Sequence, residues 1–214
     1  RFIANAAHQL RTPVAGLVTQ IDLARTGPDA AMHLAHAREA AARLARLAQQ
    51  ILSLAAADPV SNPASKRDPC DLAEIARSHA EAWLRSARDV ELEFDLKRAP
   101  IRGDAVLAGE LASNLVDNAS RYGARQVRIA TFAEQGRSIL EVEDDGPGIP
   151  APERSRIFER FHRLQHHSTD GSGLGLAIVA EIAQRHGAKI AVNDAVTYPT
   201  GARVTVSFPA VEAG

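Results

Sequence analysis

Residues 110–123 read ELASNLVDNASRYG, and the reading of this stretch decides what the rest of the chain is. Leu111, Leu115 and Val116 recur at helical spacing, so the segment is a helix with one side in a core. Glu110, Asn114, Asn118 and Arg121 follow at i, i+4, i+8 and i+11 and share a second face of the same helix. Solvation accounts for an isolated Glu or Arg on such a face. Two asparagines one turn apart are less readily explained that way, because an amide oxygen is a hard ligand suited to Mg²⁺ and a guanidinium complements phosphate.

Two glycine-rich segments lie downstream. VEDDGPGIP (142–150) ends a strand on carboxylates and then turns on Gly146 and Gly148 around a proline. In DGSGLGLAIV (170–179), Gly171, Gly173 and Gly175 alternate before an apolar helix, which lets backbone N–H groups approach an anion at a helix N-terminus. Each is weak evidence alone. The second has neither the spacing nor the following lysine of a Walker loop, and it lacks the βα context of a dinucleotide fingerprint.

Upstream, Leu10, Val14, Leu17, Ile21 and Ala24 recur at steps of four and three, predicting a helix from Phe2 to about Thr26. Gly27-Pro28-Asp29 breaks it, and a second alanine-rich helix runs to about Ala57 with Leu34, Ala41, Leu44, Ala48, Ile51 and Leu54 along one side. Such a hairpin is too thin to bury its stripe alone, so two are expected to pair as a four-helix bundle in a homodimer. On a wheel of ~100° per residue, His8 lies roughly 160–180° from Leu10 and Leu17 and points away from the stripe. Residues 58–68, with Pro59 and Pro63 among small polar residues, read as a linker between a first domain (1–57) and a second (69–214). The second carries helices near 71–87, 104–121 and 174–186 and strands at 90–96, near Ile101, and at 126–132, 138–144, 188–193 and 202–208. A hairpin is expected through Glu134-Gln135-Gly136, and the whole predicts an α/β sandwich with helices on one face of a mostly antiparallel sheet.

Composition narrows the function classes. Lys+Arg (25) nearly balance Asp+Glu (26), and no basic block is interleaved with aromatics, which disfavours a nucleic-acid surface. The single cysteine, Cys70, excludes an internal disulfide framework. No apolar run reaches the roughly 18 residues of a membrane helix, and the first residues resemble no signal peptide. The piece is expected to be soluble, and because it opens at Arg1 without methionine, further chain is expected upstream. His33 and His36, and His166-His167, are read as surface residues, since metal sites need more ligands than either pair offers.

Taken together, the segments resemble the sensor histidine kinases over essentially the whole chain. AHQLRTP around His8 resembles the phosphoacceptor box, NLVDNASRYG the N box, DDGPGIP the first glycine box, RIFERFHR (156–163) the F box and GSGLGLAIV the second glycine box. Five motifs in family order are far more specific than any one of them. The resemblance implies a dimerisation and phosphotransfer hairpin followed by an ATP-binding domain of the Bergerat (GHKL) type. It implies Mg²⁺ on Asn118, and nucleotide contacts from Asn114, Arg121 and Tyr122. Asp144 matches the carboxylate that takes the adenine amino group, and Gly146, Gly148, Gly171, Gly173, Leu174 and Gly175 match the glycine boxes. Residues 150–172 match the ATP lid, with Arg160, Phe161 and Arg163 placed to order it over the phosphates.

The implied reaction is attack by His8 on the γ-phosphate of ATP and transfer to an aspartate of a response regulator receiver domain. Gln9 stands where the family often has an acidic residue and cannot act as a base, and Gln9 with Thr12 resembles a pair that orients water for regulator dephosphorylation. Asn114 stands where related ATPases carry a water-activating glutamate, which favours transfer to histidine over hydrolysis. A serine kinase or ATPase of the same fold, and a nucleotide-binding scaffold without turnover, are the alternatives. The resemblance further implies a cytoplasmic fragment of a protein anchored in the bacterial inner membrane.

Overall fold

A computed structural model describes residues 2–27, 29–56, 68–87, 89–122, 124–164 and 173–209, with the backbone alone over 2–13 and in parts of the second helix. The linker's residues 58–67, Gly171 and His166-His167 lie outside the described residues. Two compact units divide the chain, one ending at Asp58 and the other beginning at Pro59.

The first unit is a hairpin of α1 (Phe2–Thr26) and α2 (Ala30–Ala56). Gly27 closes α1 by donating its N–H to the Leu23 carbonyl at 2.8 Å, and a Cβ there would stand 2.9 Å from the same oxygen. The face of α2 that is covered differs from the expected stripe. Ala37 and Ala40 are buried and Leu44 and Ala48 half-buried, whereas Leu34 and Ala41 are exposed. Alanines permit close helix approach, so the narrow side of α2 turns inward and the larger Leu34 stays outside. Val14, Val18, Ile21 and Met32 are exposed with it. His33 is not a plain surface residue: it is half-buried, and its Nδ1 lies 2.8 Å from Gln20 Oε1 on α1.

The second unit runs β1 (Asp68–Asp71), α3 (Leu72–Ser86), β2 (Glu91–Leu96), β3 (Pro100–Gly103), α4 (Ala105–Arg121), β4 (Gln126–Glu134) and β5 (Arg137–Asp144). Two short 3₁₀ turns (Ala151–Glu153 and Arg156–Phe158) precede α5 (Gly175–Arg185), β6 (Lys189–Asp194) and β7 (Ala202–Pro209). The main sheet has the order β2-β4-β5-β7-β6, with β2 parallel to β4 and the other pairs antiparallel. β1 and β3 form a separate antiparallel pair, and β1 begins inside the stretch read as a linker. Its four residues contain Pro69, which donates no ladder bond, so no period-two pattern marks it in the sequence. The β4–β5 hairpin turns on Gln135 (φ 48°) and Gly136 (φ 72°), the left-handed pair that a two-residue turn of right-twisted strands requires.

Burial along β7 alternates: Ala202, Val204, Val206 and Phe208 are buried, and Arg203, Thr205 and Ser207 half-buried. That period places one sheet face in the core with Leu111, Leu115 and Val116 of α4 and Ile178, Val179 and Ile182 of α5. The opposite face carries charge, with Arg128 bridging Asp95 at 2.8 Å and Glu141 at 3.7 Å. Two polar devices fix the helices. Asp104 caps α4 by accepting from the N–H groups of Val106 (2.9 Å) and Leu107 (3.2 Å). His186, at the end of α5, lies 3.1 Å by Nε2 from the Asp104 N–H and 2.8 Å by Nδ1 from the Ile182 carbonyl. A neutral ring with its proton on Nδ1 satisfies both and ties the end of α5 to the start of α4.

Leu111 is fully buried and Val106 is 78% exposed on the same helix. Leu111→Ala is expected to destabilise the second unit by about 2–5 kcal/mol, and Val106→Ala by under about 0.5 kcal/mol. Urea unfolding followed by the fluorescence of Trp83, the chain's single tryptophan, checks both.

Candidate functional site

The site is built around α4. Asn114 Nδ2 donates to the Glu110 carbonyl at 2.9 Å, which fixes the amide. Its Oδ1 faces α5, because a Cβ on Gly175 would come within 3.1 Å of that oxygen. Asn118 lies one turn further along and is half-buried. Arg121 pairs with Asp117 at 3.1 Å, and Tyr122 forms the C-cap. A Cβ on Gly146 would stand 3.4 Å from the Tyr122 carbonyl oxygen. The helix therefore meets the second glycine segment in its middle and the first at its C-terminal end.

Asp144 closes β5. Its Oδ1 accepts from the N–H of Gly146 at 2.9 Å and of Ala202 at 3.3 Å. Gly148 (φ 76°) and Gly201 (φ 129°) sit in left-handed backbone, and their chains cross closely: a Cβ on Gly148 would lie 3.0 Å from the Gly201 carbonyl oxygen. A Cβ on Gly201 would lie 1.7 Å from that of Asp144, so only glycine passes there. Burial pushes the Asp144 carboxyl above its ordinary pKa, the Gly146 and Ala202 amides work against that rise, and the neighbouring Asp145 and Glu143 charges add to it. Asp145 turns elsewhere, accepting from the N–H of Arg125 (2.7 Å) and Gln126 (2.9 Å).

Glu143 was not singled out by the sequence, yet it is 1% exposed. Its carboxylate accepts from the backbone N–H groups of Val196 and Thr197 and from the Thr197 hydroxyl at 3.0 Å. Burial works to raise its pKa, but these three donors and the Arg203 guanidinium outweigh it and hold the carboxyl below its ordinary range.

Between the glycine segments, Arg154 donates from Nε to the Ile149 carbonyl at 2.9 Å and pairs with Asp194 of β6. His162 Nε2 lies 2.8 Å from Glu153, and Arg160 3.7 Å from Glu181 of α5. Phe161 (φ 67°) donates its N–H to the Gly173 carbonyl at 2.8 Å. Gly173 also has φ 67°, and a Cβ there would stand 2.9 Å from the Phe161 backbone. Arg163 is exposed, and the fully buried Leu174 stands at the N-cap of α5. His8, Gln9 and Thr12 lie on α1, where the backbone alone is described.

A helix with an asparagine face between two glycine segments, one of them opening a second helix, fits a nucleotide and cation site. A family profile described as histidine kinase-, DNA gyrase B-, and HSP90-like ATPase matches residues 103–212, and one described as the His Kinase A (phospho-acceptor) domain matches residues 1–59. The chain belongs to the sensor histidine kinases. It is 36% identical to the sensor protein CutS of Streptomyces coelicolor over 90% of its own length and 49% of that protein. It is 31% identical to the histidine-protein kinase/phosphatase MprB of Mycolicibacterium smegmatis over 98% of its own length and 45% of that protein. The chain thus spans about half the length of these curated relatives. Among solved structures, a mycobacterial sensor histidine kinase MprB superposes with a TM-score of 0.61 at 32% identity, covering 66% of this chain and 97% of that one. The Acinetobacter baumannii histidine kinase AdeS gives 0.70 over 94% of this chain and 97% of that one, at 23% identity, which bears on the fold alone.

The two buried carboxylates predict opposite pH behaviour of the nucleotide-free chain. Glu143, with its lowered pKa, contributes stability above the ordinary carboxylate range that is lost as pH falls through its folded value. Asp144, with its raised pKa, disfavours the fold once pH passes the ordinary value. Asp144→Asn is therefore expected to raise the Tm at neutral pH, the gain vanishing in acid where the wild-type carboxyl is protonated. Calorimetry of both chains across the acid-to-neutral range checks this.

Proposed function

We propose that the chain is the kinase part of a two-component sensor: the unit from 69 to 214 binds ATP and the hairpin of residues 1–57, joined through 58–68, carries the phosphoacceptor His8. The observation that carries the nucleotide assignment is the contact of α4 with both glycine segments, at Gly175 and at Gly146. In this reading Asp144, oriented by two backbone donors on Oδ1, takes the adenine amino group. Arg121 and Tyr122 contact the nucleotide at the end of α4. Gly146, Gly148, Gly171, Gly173, Leu174 and Gly175 let the backbone close around the phosphates, with the N-terminus of α5 favouring their charge. Arg160, Phe161 and Arg163 act from the intervening segment.

The donor set suits magnesium: Asn118 offers a hard amide oxygen, and Mg²⁺ takes the rest of its shell from phosphates and water. When bound, the ion neutralises charge on the transferring phosphoryl group. His8 attacks the γ-phosphorus through a neutral imidazole nitrogen, forming an N–P bond as the bond to the ADP oxygen breaks. The ring proton leaves to solvent, since Gln9 cannot accept it. Asn114 likewise cannot deprotonate water, which favours transfer over hydrolysis. The phosphoryl group then passes to an aspartate of a response regulator receiver domain. Gln9 and Thr12 are assigned to orienting water when the regulator is dephosphorylated.

The exposed Val14, Val18, Ile21, Met32 and Leu34 of the hairpin support pairing with a second copy. No nucleic-acid partner is assigned. Among the described residues no helix is long and apolar enough to cross a membrane, and anchoring in the bacterial inner membrane is proposed for the whole protein, with this part in the cytoplasm.

Incubation with Mg²⁺ and γ-labelled ATP should leave acid-labile, alkali-stable label on the wild-type chain and none on His8→Gln. Acid-stable label that persists in His8→Gln would contradict the phosphoacceptor assignment. Asn118→Ala should lower the rate of labelling by at least about 100-fold.

A further inference from the structure

Two adjacent carboxylates of β5 grip opposite ends of one loop. Residues 195–201 connect β6 to β7 and are closed on themselves by the Ala195 N–H to the Gly201 carbonyl at 3.1 Å. Glu143 holds the start of the loop through the two amides and the hydroxyl at 196–197. Asp144 holds its end, through the Ala202 N–H and the close crossing at Gly201. Successive strand residues point to opposite sheet faces, so the two grips lie on opposite sides of β5. Residues 198–200 separate the two grips.

We infer that Glu143 is a positioning residue for base recognition: by pinning residues 196–197 it fixes where the Ala202 N–H meets Asp144, and so sets the angle at which Asp144 presents its carboxylate to an adenine amino group. The inference rests on the assignment of Asp144 to the adenine. Its physical basis is that Asp144 Oδ1 is shared between an amide of its own turn, Gly146 at 2.9 Å, and the first amide of β7, Ala202 at 3.3 Å, which the loop leads into. With the loop released, the second donor drifts and the carboxylate follows the first alone. Phosphate contacts at the start of α5 come from another segment, whose Gly173 and Gly175 pack against Phe161 and Asn114. A loosened loop therefore costs discrimination for the 6-amino purine more than affinity for the triphosphate. A glutamine at 143 keeps an amide oxygen for the two backbone donors and an NH₂ for the Thr197 hydroxyl oxygen, and preserves the pin.

The experiment is displacement of a fluorescent nucleotide by ATP and by GTP, on the full chain, with thermal unfolding recorded for each variant. Glu143→Ala is expected to weaken ATP about tenfold and GTP by less than about twofold, so that the ATP/GTP ratio collapses, while Glu143→Gln keeps the wild-type ratio. A folded Glu143→Ala chain with wild-type ATP affinity overturns the inference. So does equal weakening of ATP and GTP, the mark of a merely structural role. Should Glu143→Ala fail to fold, Thr197→Val, which removes one donor, carries the test: ATP weakened about threefold at unchanged GTP supports the pin, and two unchanged affinities overturn it. Asp144→Asn separates the levels. A ratio lost in Asp144→Asn but kept in Glu143→Ala contradicts the inference alone, whereas a ratio kept in Asp144→Asn contradicts the adenine assignment beneath it.

Discussion

A side-chain carbon at position 201 would stand 1.7 Å from the carbonyl oxygen of Asp144, far inside any non-bonded contact, and the candidate site depends on that crossing. Because only a bare backbone fits, the start of β7 passes directly over the end of β5, and the Ala202 amide reaches the Asp144 side chain. The same crossing brings the Gly201 carbonyl against Gly148, so the first glycine turn is shaped from both sides. On its other flank that turn meets the carbonyl of Tyr122, the C-cap of α4. The asparagine face of α4 and the carboxylate of β5 are thereby set by backbone contacts, which bend far less than side chains do.

Three consecutive acids at the end of a buried strand pose an electrostatic problem, and the fold solves it by sending each to different donors. Glu143 takes the amides and hydroxyl at 196–197, Asp144 those of the glycine turn and β7, and Asp145 those at the start of β4. The donors outweigh burial at Glu143, whereas at Asp144 burial prevails and pushes the carboxyl upward. A group poised in this way gains from a polar ligand that supplies a further donor, as an exocyclic amine does. The pinned loop and the perturbed carboxylate are two aspects of one arrangement.

Much of the fold was legible because its signals are periodic. The apolar positions of α4 and β7 and the left-handed Gln135-Gly136 turn follow rules of spacing and backbone freedom that hold whatever surrounds them. The glycine and asparagine motifs were legible through family resemblance, and the structure brings Asn114 beside Gly175 and Tyr122 beside Gly146. What escaped was decided by tertiary context. β1 is four residues long and its strand partner is the distant β3, so nothing local marks it. The inward face of α2 is chosen by how closely two helices approach, which favours Ala37 and Ala40 over the larger Leu34. Glu143 resembles any polar residue on a half-exposed strand, and it becomes a buried pin because a loop fifty residues away brings amides to it. An acid at that position directly before two others, Asp144 and Asp145, was the one available hint.

In the proposed function, α4, the first glycine turn, the start of α5 and the start of β7 form one nucleotide site. Backbone amide NMR of the chain, titrated with a non-hydrolysable ATP analogue and Mg²⁺, tests it most directly. Within the second unit the largest shifts are expected on the amides of Asn118, Gly146, Gly148, Gly173, Gly175 and Ala202, with the β1–β3 pair unmoved. Shifts centred on β1–β3 or on the outer charged face at Arg128 and Glu141, or none at saturating analogue, would contradict it.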